Sequence, residues 1–449
     1  MTNLTSVGSL AQVVQASQSY LSREIQDQSV SSITTDTRDL RHGSVFVALK
    51  GDRFDGHDFI EIAVAQGAVA VVVQADRVRP DLPCLPVPDT LVAYQRLGQW
   101  WRKQQSAKIV AVTGSVGKTT TKEIVAAALG THGPVLKTQA NYNNEIGVPK
   151  TLLNLQPHHA FGVIEMGMRG AGEIALLAQI AQPEVAVITN VGTAHIGRLG
   201  SEQAIADAKC ELLAELSPHG IAVLNHDNAR LMDTAATIWA GRTLSFGLEG
   251  GDVRGTLQEG DVLEVEGVAL PLPLPGRHNA LNFLAAIAVM RALNLDWRGL
   301  QAGISVDLPR GRARKMALSR DIWLLDETYN AGFESMIAAL HLLAETPGQR
   351  RIAVLGTMKE LGDQSVTLHR RVGEAVSQLK IDRLLTLANP EEAVALAEGA
   401  AGVASTAFTD HDALATHLQT LLQPGDRVLL KASRSVALDR VVSRLTTMD

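Results

Sequence analysis

The most informative segment of this sequence is Ile109-Val-Ala-Val-Thr-Gly-Ser-Val-Gly-Lys-Thr-Thr120. It begins with a short apolar strand, continues through a glycine-rich turn, and leads into a helix predicted from Thr121 to Leu129. A glycine-rich turn between a strand and a helix wraps the oxygens of a triphosphate with backbone N–H groups. The stretch therefore predicts a phosphate loop on a parallel α/β sheet, and with it nucleotide binding.

Every residue of this phosphate loop is expected to contact the nucleotide. Lys118 is predicted to reach the terminal phosphates, and the hydroxyl of Thr119 to bind Mg²⁺. The general pattern has a glycine at the position that Val112 occupies here. A chance glycine turn is the alternative, but Gly-Lys-Thr-Thr between a strand and a helix argues against it. The loop residues are Thr113, Gly114, Ser115, Val116, Gly117, Lys118, Thr119 and Thr120.

Polar residues follow the next two predicted strands of the same sheet. Glu165 ends the strand Phe161–Ile164, and His195 closes the polar run that follows the strand Val185–Ile188. The carboxyl ends of parallel strands meet at one edge of a sheet, so both side chains are candidates for contact with Mg²⁺ or phosphate. An ordinary strand-end glutamate and a turn-capping histidine are the alternatives.

The order of strand-like and helix-like segments predicts an α/β protein of three domains. A polar stretch over Trp101–Lys108 indicates the linker after the first domain. Short strand-like segments interrupted by glycine and proline over Asp252–Leu274 predict hairpins, which precede a helix at Asn279–Leu293. The expected domains are an N-terminal α/β domain over 1–105, a central phosphate-loop domain with a parallel sheet over 106–313, and a C-terminal Rossmann-like domain over 314–449.

Composition and charge narrow the class of protein. The chain has 449 residues, a net charge of −6 and two cysteines. It has no long basic run, so no nucleic-acid partner is expected. The start of the sequence lacks the pattern of a signal peptide, and no apolar run is long enough to cross a membrane. We therefore expect a cytoplasmic protein without membrane insertion, in which Cys84 and Cys210 are buried thiols.

Taken in order, these residues resemble the Mur ligases, whose phosphate loop has the form Thr-Gly-x-x-Gly-Lys-Thr/Ser. The resemblance covers nearly the whole chain and implies an ATP-dependent ligase with two Mg²⁺ ions. It implies that Lys209, which by pattern alone is a solvated helical lysine, carries a carbamate that binds Mg²⁺. The implied catalytic residues are Lys118, His195, Lys209 and Arg312, and the implied metal ligands are Thr119, Glu165, His195 and Lys209.

The resemblance also implies contacts to the rest of the nucleotide. Asn279 and Asn282 lie one helical turn apart and so face the same ligand, although helix capping is the alternative for one of them. Arg312 is chosen over Arg310 and Arg314 as the arginine that approaches the phosphates. The remaining nucleotide contacts implied are Asp326, Tyr329 and Asn330.

One branch of the family, which adds D-alanyl-D-alanine to UDP-N-acetylmuramoyl-tripeptide, is similar to this chain over Asp326–Met336. Gly332 and Phe333 replace its usual Asn-Pro, and Ala432 replaces a glycine. The branch forms an acyl phosphate from ATP and then the amide, and we expect a monomer. The substrate-binding residues implied are Thr35, Asp36, Thr37, Arg38, Asn141, Asn143, Asn144, Lys431, Ser433 and Arg434.

Other functions remain open at this level. A Mur ligase that adds the third residue, or an enzyme like folylpolyglutamate synthase, would use the same ATP chemistry. A nucleotide-dependent switch would leave Lys209 as a surface residue. A catalytically idle relative would keep the fold as a scaffold.

Overall fold

The computed structural model describes residues 4–447, so residues 1–3 and 448–449 of the first and last predicted domains lie outside it. The helices are α1 (Val7–Val14), α2 (Arg23–Gln26), α3 (Ile60–Ala65), α4 (Thr90–Lys103), α5 (Lys118–Gly130), α6 (Gly147–Leu152), α7 (Glu173–Ala181), α8 (Ile196–Leu199), α9 (Glu202–Ala214), α10 (Ala229–Ile238), α11 (Arg277–Ala292), α12 (Phe333–Glu345), α13 (Ser365–Gln378), α14 (Pro390–Gly399), α15 (His411–Leu421) and α16 (Asp439–Thr447).

The strands are β1 (Thr5–Ser6), β2 (Ser29–Val30), β3 (Ser32–Thr34), β4 (Ser44–Val47), β5 (Ala70–Gln74), β6 (Cys84–Val87), β7 (Lys108–Thr113), β8 (Val135–Lys137), β9 (Phe161–Glu165), β10 (Val185–Ile188), β11 (Ile221–Asn225), β12 (Arg242–Gly247), β13 (Val253–Gln258), β14 (Val262–Val265), β15 (Val268–Pro271), β16 (Arg314–Leu318), β17 (Ile322–Glu327), β18 (Arg350–Gly356), β19 (Arg383–Leu387), β20 (Ala404–Phe408) and β21 (Asp426–Lys431). The predicted helix after the phosphate loop and the strands before Glu165 and His195 are confirmed.

The chain divides into two compact units, of which the first comprises Met1–Ala111, Gly133–Met166 and Ala175–Pro183. This unit contains a parallel sheet in the order β3-β4-β5-β6, and the parallel pair β8-β9. Alternate residues of β4 point to opposite faces, so Val45 packs toward α1 and α4 while Phe46 packs toward α3. Both faces are thus covered, as a parallel sheet requires.

The second unit comprises Val112–His132, Gly167–Ile174 and Glu184–Asp449. In its first part β10, β11, β12 and β13 pair in parallel, and β13, β14 and β15 pair antiparallel. The turn between β14 and β15 places Glu266 and Gly267 at positive φ, the conformation of a tight hairpin turn. The hairpins predicted over Asp252–Leu274 are therefore confirmed.

The last part of this unit is a six-stranded sheet in the order β16-β17-β21-β18-β19-β20. Only β16 runs antiparallel to its neighbour within this sheet. The register places Glu327 beside Lys431 and Lys431 beside Leu355, so the carboxyl ends of β17, β21 and β18 meet at one edge. Residues at this edge are therefore available to one ligand.

No helix within residues 4–447 combines the length and the apolar composition needed to cross a membrane.

Candidate functional site

The phosphate loop is held in shape by the polar residues that follow β10. The backbone N–H of Ser115 donates to the carbonyl of Asn190, and that of Val116 donates to the Asn190 Oδ1, both at 3.0 Å. The hydroxyl of Thr189 donates to the carbonyl of Val116 at 2.6 Å. These bonds fix the loop before any ligand arrives. Asn190 was missed in the sequence because only His195 was singled out of the polar run to which both belong.

Two glycines allow the loop to take this course. Gly117 precedes α5 with a φ of 82°, a value that favours glycine. A Cβ on Gly114 would clash with the Thr189 Oγ1, so a larger residue would displace the hydroxyl that bonds to the loop. Within the loop, the Lys118 Nζ donates to the carbonyl of Gly114 at 2.7 Å. The lysine side chain therefore folds back over the loop that is predicted to bind phosphate.

Lys209 is a buried lysine close to the phosphate loop, with 1% of its surface exposed. Burial, together with the nearby Lys118 cation, lowers the pKa of Lys209 well below its usual value, while Cys210 and Glu334 act in the opposite direction. Lys209 is thus no solvated helical lysine. Its amine is more readily neutral than that of an exposed lysine.

Asn279 and Asn282 lie together on α11, as predicted. The Asn282 Nδ2 donates to the Asn279 Oδ1 at 3.1 Å, and the Asn282 Oδ1 accepts from the hydroxyl of Thr121 at 3.0 Å. The Asn279 Nδ2 donates to the carbonyl of Pro275 at 2.8 Å. The pair therefore links the start of α11 to the start of α5, next to Gly117.

Two carboxylates contact the loop that contains His195. Glu334 accepts from the backbone N–H of Thr193 at 2.6 Å. The Glu360 Oε2 lies 2.5 Å from the His195 Nδ1, and its Oε1 lies 3.4 Å from the Arg198 Nη2. The contact with His195 holds the pKa of Glu360 below its usual value. Neither glutamate was singled out in the sequence, because each comes from a segment remote from the loop.

A second cluster forms where β17 and β21 end. The Lys431 Nζ donates to the carbonyl of Asn330 at 3.0 Å and lies 3.5 Å from a Glu327 carboxylate oxygen. Burial lowers the pKa of Lys431, and the Arg312 cation acts in the same direction. The hydroxyl of Ser433 donates to the carbonyl of Ala331 at 3.3 Å. The predicted residues Asn330, Lys431 and Ser433 are therefore brought together.

Tyr329 lies in the same cluster beneath two arginines. The guanidinium carbon of Arg312 is 3.9 Å from the centre of its ring, and that of Arg434 is 5.0 Å away. A guanidinium over a tyrosine ring is attracted by the negative face of the ring. Asp326 is buried and accepts from the hydroxyl of Thr328 at 2.6 Å. The cluster is rich in cations, which suits phosphate or carboxylate ligands.

The sequence departure at Gly332 and Phe333 is accommodated by a helix start. Gly332 is extended at the position before α12, and its N–H donates to the Ser335 Oγ at 3.0 Å. Phe333 occupies the first helical position, where proline is otherwise common. Helix α12 therefore begins at Phe333, the position at which the usual proline would also favour a helix start.

The predicted substrate residues of the first unit lie near its surface. Arg38 donates to both carboxylate oxygens of Asp36, at 2.9 and 2.6 Å, and lowers the pKa of Asp36 to about 2. Thr35 and Thr37 are half-buried on either side, and Asn141 and Asn144 are exposed. In the same unit, the Asn143 Nδ2 donates to the buried Glu165 at 2.7 Å. This bond joins a predicted substrate residue to a predicted metal ligand.

The donors present in the second unit fit Mg²⁺. Within residues 4–447 no group of three His, Cys, Asp or Glu side chains forms a metal site by itself. Mg²⁺ usually takes one or two carboxylates and completes its shell with water and substrate phosphates. The hydroxyl of Thr119 is next to the phosphate loop, and the buried Glu334 Oε2 and Thr193 Oγ1 have no hydrogen-bond partner in the described part of the chain. These are oxygen donors of the kind that Mg²⁺ prefers.

Comparison with known proteins identifies the family. Models of the Mur ligase middle domain, of the glutamate ligase domain and of the Mur ligase catalytic domain match residues 112–290, 311–434 and 29–102. The three matches confirm the predicted three-domain α/β organisation. An enzyme of a Synechocystis species named UDP-N-acetylmuramoyl-tripeptide--D-alanyl-D-alanine ligase is 56% identical over 94% of this chain and 93% of its own.

Solved structures of Mur ligases are also similar to this chain. MurF from Acinetobacter baumannii has a TM-score of 0.88 and 32% identity, and the match covers 100% of this chain and 99% of that one. MurF ligase from Thermotoga maritima, solved in complex with ADP, has a TM-score of 0.81 and 33% identity over 93% of this chain and 97% of that one. Because both the sequence and the fold match over nearly their full length, this chain belongs to the Mur ligase family.

Proposed function

We propose that this chain is an ATP-dependent ligase that joins D-alanyl-D-alanine to UDP-N-acetylmuramoyl-tripeptide and forms the pentapeptide precursor of peptidoglycan. The observation that carries the proposal is the meeting of three parts in the second unit. The Lys118 cation of the phosphate loop lowers the pKa of the buried Lys209. The carboxylate of Glu334, in the branch-specific segment Asp326–Met336, acts on the pKa of the same lysine in the opposite direction. The name of the Synechocystis relative supports this choice of substrates.

The resemblance to the Mur ligases implies a reaction in two steps, which the charges of this site would assist. The terminal carboxylate of the tripeptide attacks the γ-phosphorus of ATP, which gives an acyl phosphate and ADP. The amine of the dipeptide then attacks the acyl carbon, phosphate leaves, and the amine loses a proton. Phosphoryl transfer gathers negative charge on the phosphate oxygens, and the Lys118 and Arg312 cations offset it. In the second unit, Thr119, His195 and a carbamate on Lys209 are proposed to hold Mg²⁺, which would neutralise further phosphate charge. In the first unit, Glu165 is a proposed metal ligand.

The remaining predicted contacts divide between the substrates. Asn279, Asn282, Asp326, Tyr329 and Asn330 are proposed to hold the nucleotide. A cavity of about 140 Å³ borders Gly276 and Asp326, next to the start of α11. Lys431, Ser433 and Arg434 are proposed to bind the carboxylate of the dipeptide, because this part of the cluster is cationic. Residues 35–38, 141, 143 and 144 are proposed to bind the UDP-linked precursor.

The test is phosphate release from ATP and Mg²⁺ with UDP-N-acetylmuramoyl-tripeptide, measured with and without D-alanyl-D-alanine. We expect turnover only when both substrates are present, and the pentapeptide as the product by mass spectrometry. Phosphate release without an acceptor would indicate a nucleotide-dependent switch instead. Amide formation with another amino acid or with a folate would indicate another ligase of the family. Size-exclusion chromatography should give the mass of a monomer.

We propose in addition that Lys209 carries a carbamate. A neutral amine attacks CO₂ and releases a proton, and the lowered pKa of the buried Lys209 makes that neutral form more accessible than in an exposed lysine. After incubation with ¹³C-bicarbonate, we expect one carbamate carbon signal by NMR in the wild-type chain and its loss in Lys209→Arg. Lys431, also buried but close to Glu327, provides the control, since Lys431→Arg should keep the signal. A signal that survives Lys209→Arg would contradict the assignment.

A further inference from the structure

Glu360 contacts the loop before α8 through both its side chain and its backbone. Its carboxylate oxygens lie 2.5 Å from the His195 Nδ1 and 3.4 Å from the Arg198 Nη2. Its carbonyl accepts from the backbone N–H of Gly197 at 3.1 Å. A Cβ on Gly197 would lie 2.5 Å from the backbone nitrogen of Gly362, so the two segments are in direct contact. The contact is therefore specific in position and not a loose surface ion pair.

The backbone at both ends of this contact is in an uncommon conformation. His195 has a φ of 70° and Glu360 a φ of 66°, values that non-glycine residues seldom adopt. Such a conformation is unfavourable for a residue with a side chain and persists only where its surroundings determine it. The strain is thus located at the two residues whose side chains meet. Such strain is often found at functional sites.

An imidazole has two nitrogens, and the partner of one nitrogen decides whether the other carries a proton or a free lone pair. A carboxylate at Nδ1 holds the proton there and leaves the lone pair of Nε2 for a ligand. From this geometry we propose that Glu360 is a positioning residue, which fixes the ring of His195 so that Nε2 faces the nucleotide and its Mg²⁺. The inference rests on the proposed function, because His195 is taken as a contact to that ion. The role assigned to Glu360 is to orient His195, not to bind substrate or metal itself.

Glu360 lies in the segment Thr357–Gly362, which follows β18, whereas His195 lies in the segment that follows β10. The orienting carboxylate therefore comes from the C-terminal part of the chain and the oriented imidazole from the central part. Correct orientation of His195 consequently requires that these two segments are in contact. Loss of the carboxylate should weaken metal binding even though every proposed metal ligand remains. This is the effect expected when the carboxylate that orients a metal-bound histidine is lost.

The test is the affinity of the full chain for Mn²⁺, used in place of Mg²⁺ with a non-hydrolysable ATP analogue and followed by electron paramagnetic resonance. We expect Glu360→Gln to weaken Mn²⁺ binding on the order of 10-fold, since glutamine has nearly the same shape but lacks the charge. Glu398→Gln is the matched control, because it removes an exposed ion pair to Arg370 elsewhere in the second unit and should leave the affinity unchanged.

A double-variant comparison separates positioning from a merely structural contact. If Glu360 acts through His195, Glu360→Gln should cause no further loss of Mn²⁺ affinity in a His195→Ala background. An equal loss in both backgrounds, or wild-type affinity for Glu360→Gln alone, would overturn the proposal. The two proposals can fail separately. If the wild-type chain makes no pentapeptide, the proposed substrates are wrong. If its Mn²⁺ affinity nevertheless depends on Glu360 through His195, the positioning role is supported.

Discussion

Replacement of Lys118 by alanine is expected to abolish amide synthesis, with a loss of at least about 10³-fold in turnover. Lys118 supplies the cation of the phosphate loop, and its Nζ already lies over the loop carbonyl of Gly114 at 2.7 Å. Removal of one group that stabilises the charge of a transition state commonly lowers the rate about 10²- to 10³-fold, and we propose that Lys118 also binds ATP. The measurement is pentapeptide formation at saturating concentrations of all three substrates.

The fold should survive this change. The Lys118 Nζ donates to carbonyls of the loop itself. Without it, the loop keeps its hydrogen bonds to Thr189 and Asn190. Circular dichroism and thermal unfolding of the variant should match those of the wild type. Lys103→Ala serves as the control, since Lys103 is an exposed lysine at the end of α4 and should keep full activity. Retention of most ATP-dependent amide synthesis by Lys118→Ala would refute its assigned role.

The largest expected effect on stability is at Asp426, the first residue of β21. Its side chain is completely buried and accepts from the Arg350 Nε and Nη2, at 2.9 and 2.7 Å. It also accepts from the backbone N–H of Gln423 at 2.8 Å. Asp426→Ala would leave the guanidinium of Arg350 and this N–H without their carboxylate. We expect the free energy of unfolding to fall by about 3 kcal/mol.

Urea denaturation followed by circular dichroism measures this change. The control is Asp412→Ala, because Asp412 pairs with Arg444 in the same part of the chain but has 74% of its side chain exposed. Exposed ion pairs contribute little to stability, so this variant should unfold like the wild type. If Asp426→Ala cost no more than Asp412→Ala, the Arg350 pair would be acting as a surface pair.

Much of the candidate site could be predicted from the sequence, because its parts lie at the ends of strands. The phosphate loop begins at Thr113, the last residue of β7, Glu165 is the last residue of β9, and His195 lies in the segment after β10. The helix and the hairpins were also predictable, since glycines and periodic apolar residues act locally. The branch-specific segment gave the substrate class only through its resemblance to known enzymes.

Local sequence patterns are sufficient to predict the individual helices, strands and turns and the side chains that they carry. Only the tertiary structure decided which of those side chains meet: Glu360 with His195, Glu334 with Thr193, and Asn282 with Thr121. Tertiary contact likewise decided that Lys209 is buried and not solvated. The physical reason is that a contact between residues far apart in the chain depends on how whole strands and helices pack, which no local pattern of residues encodes.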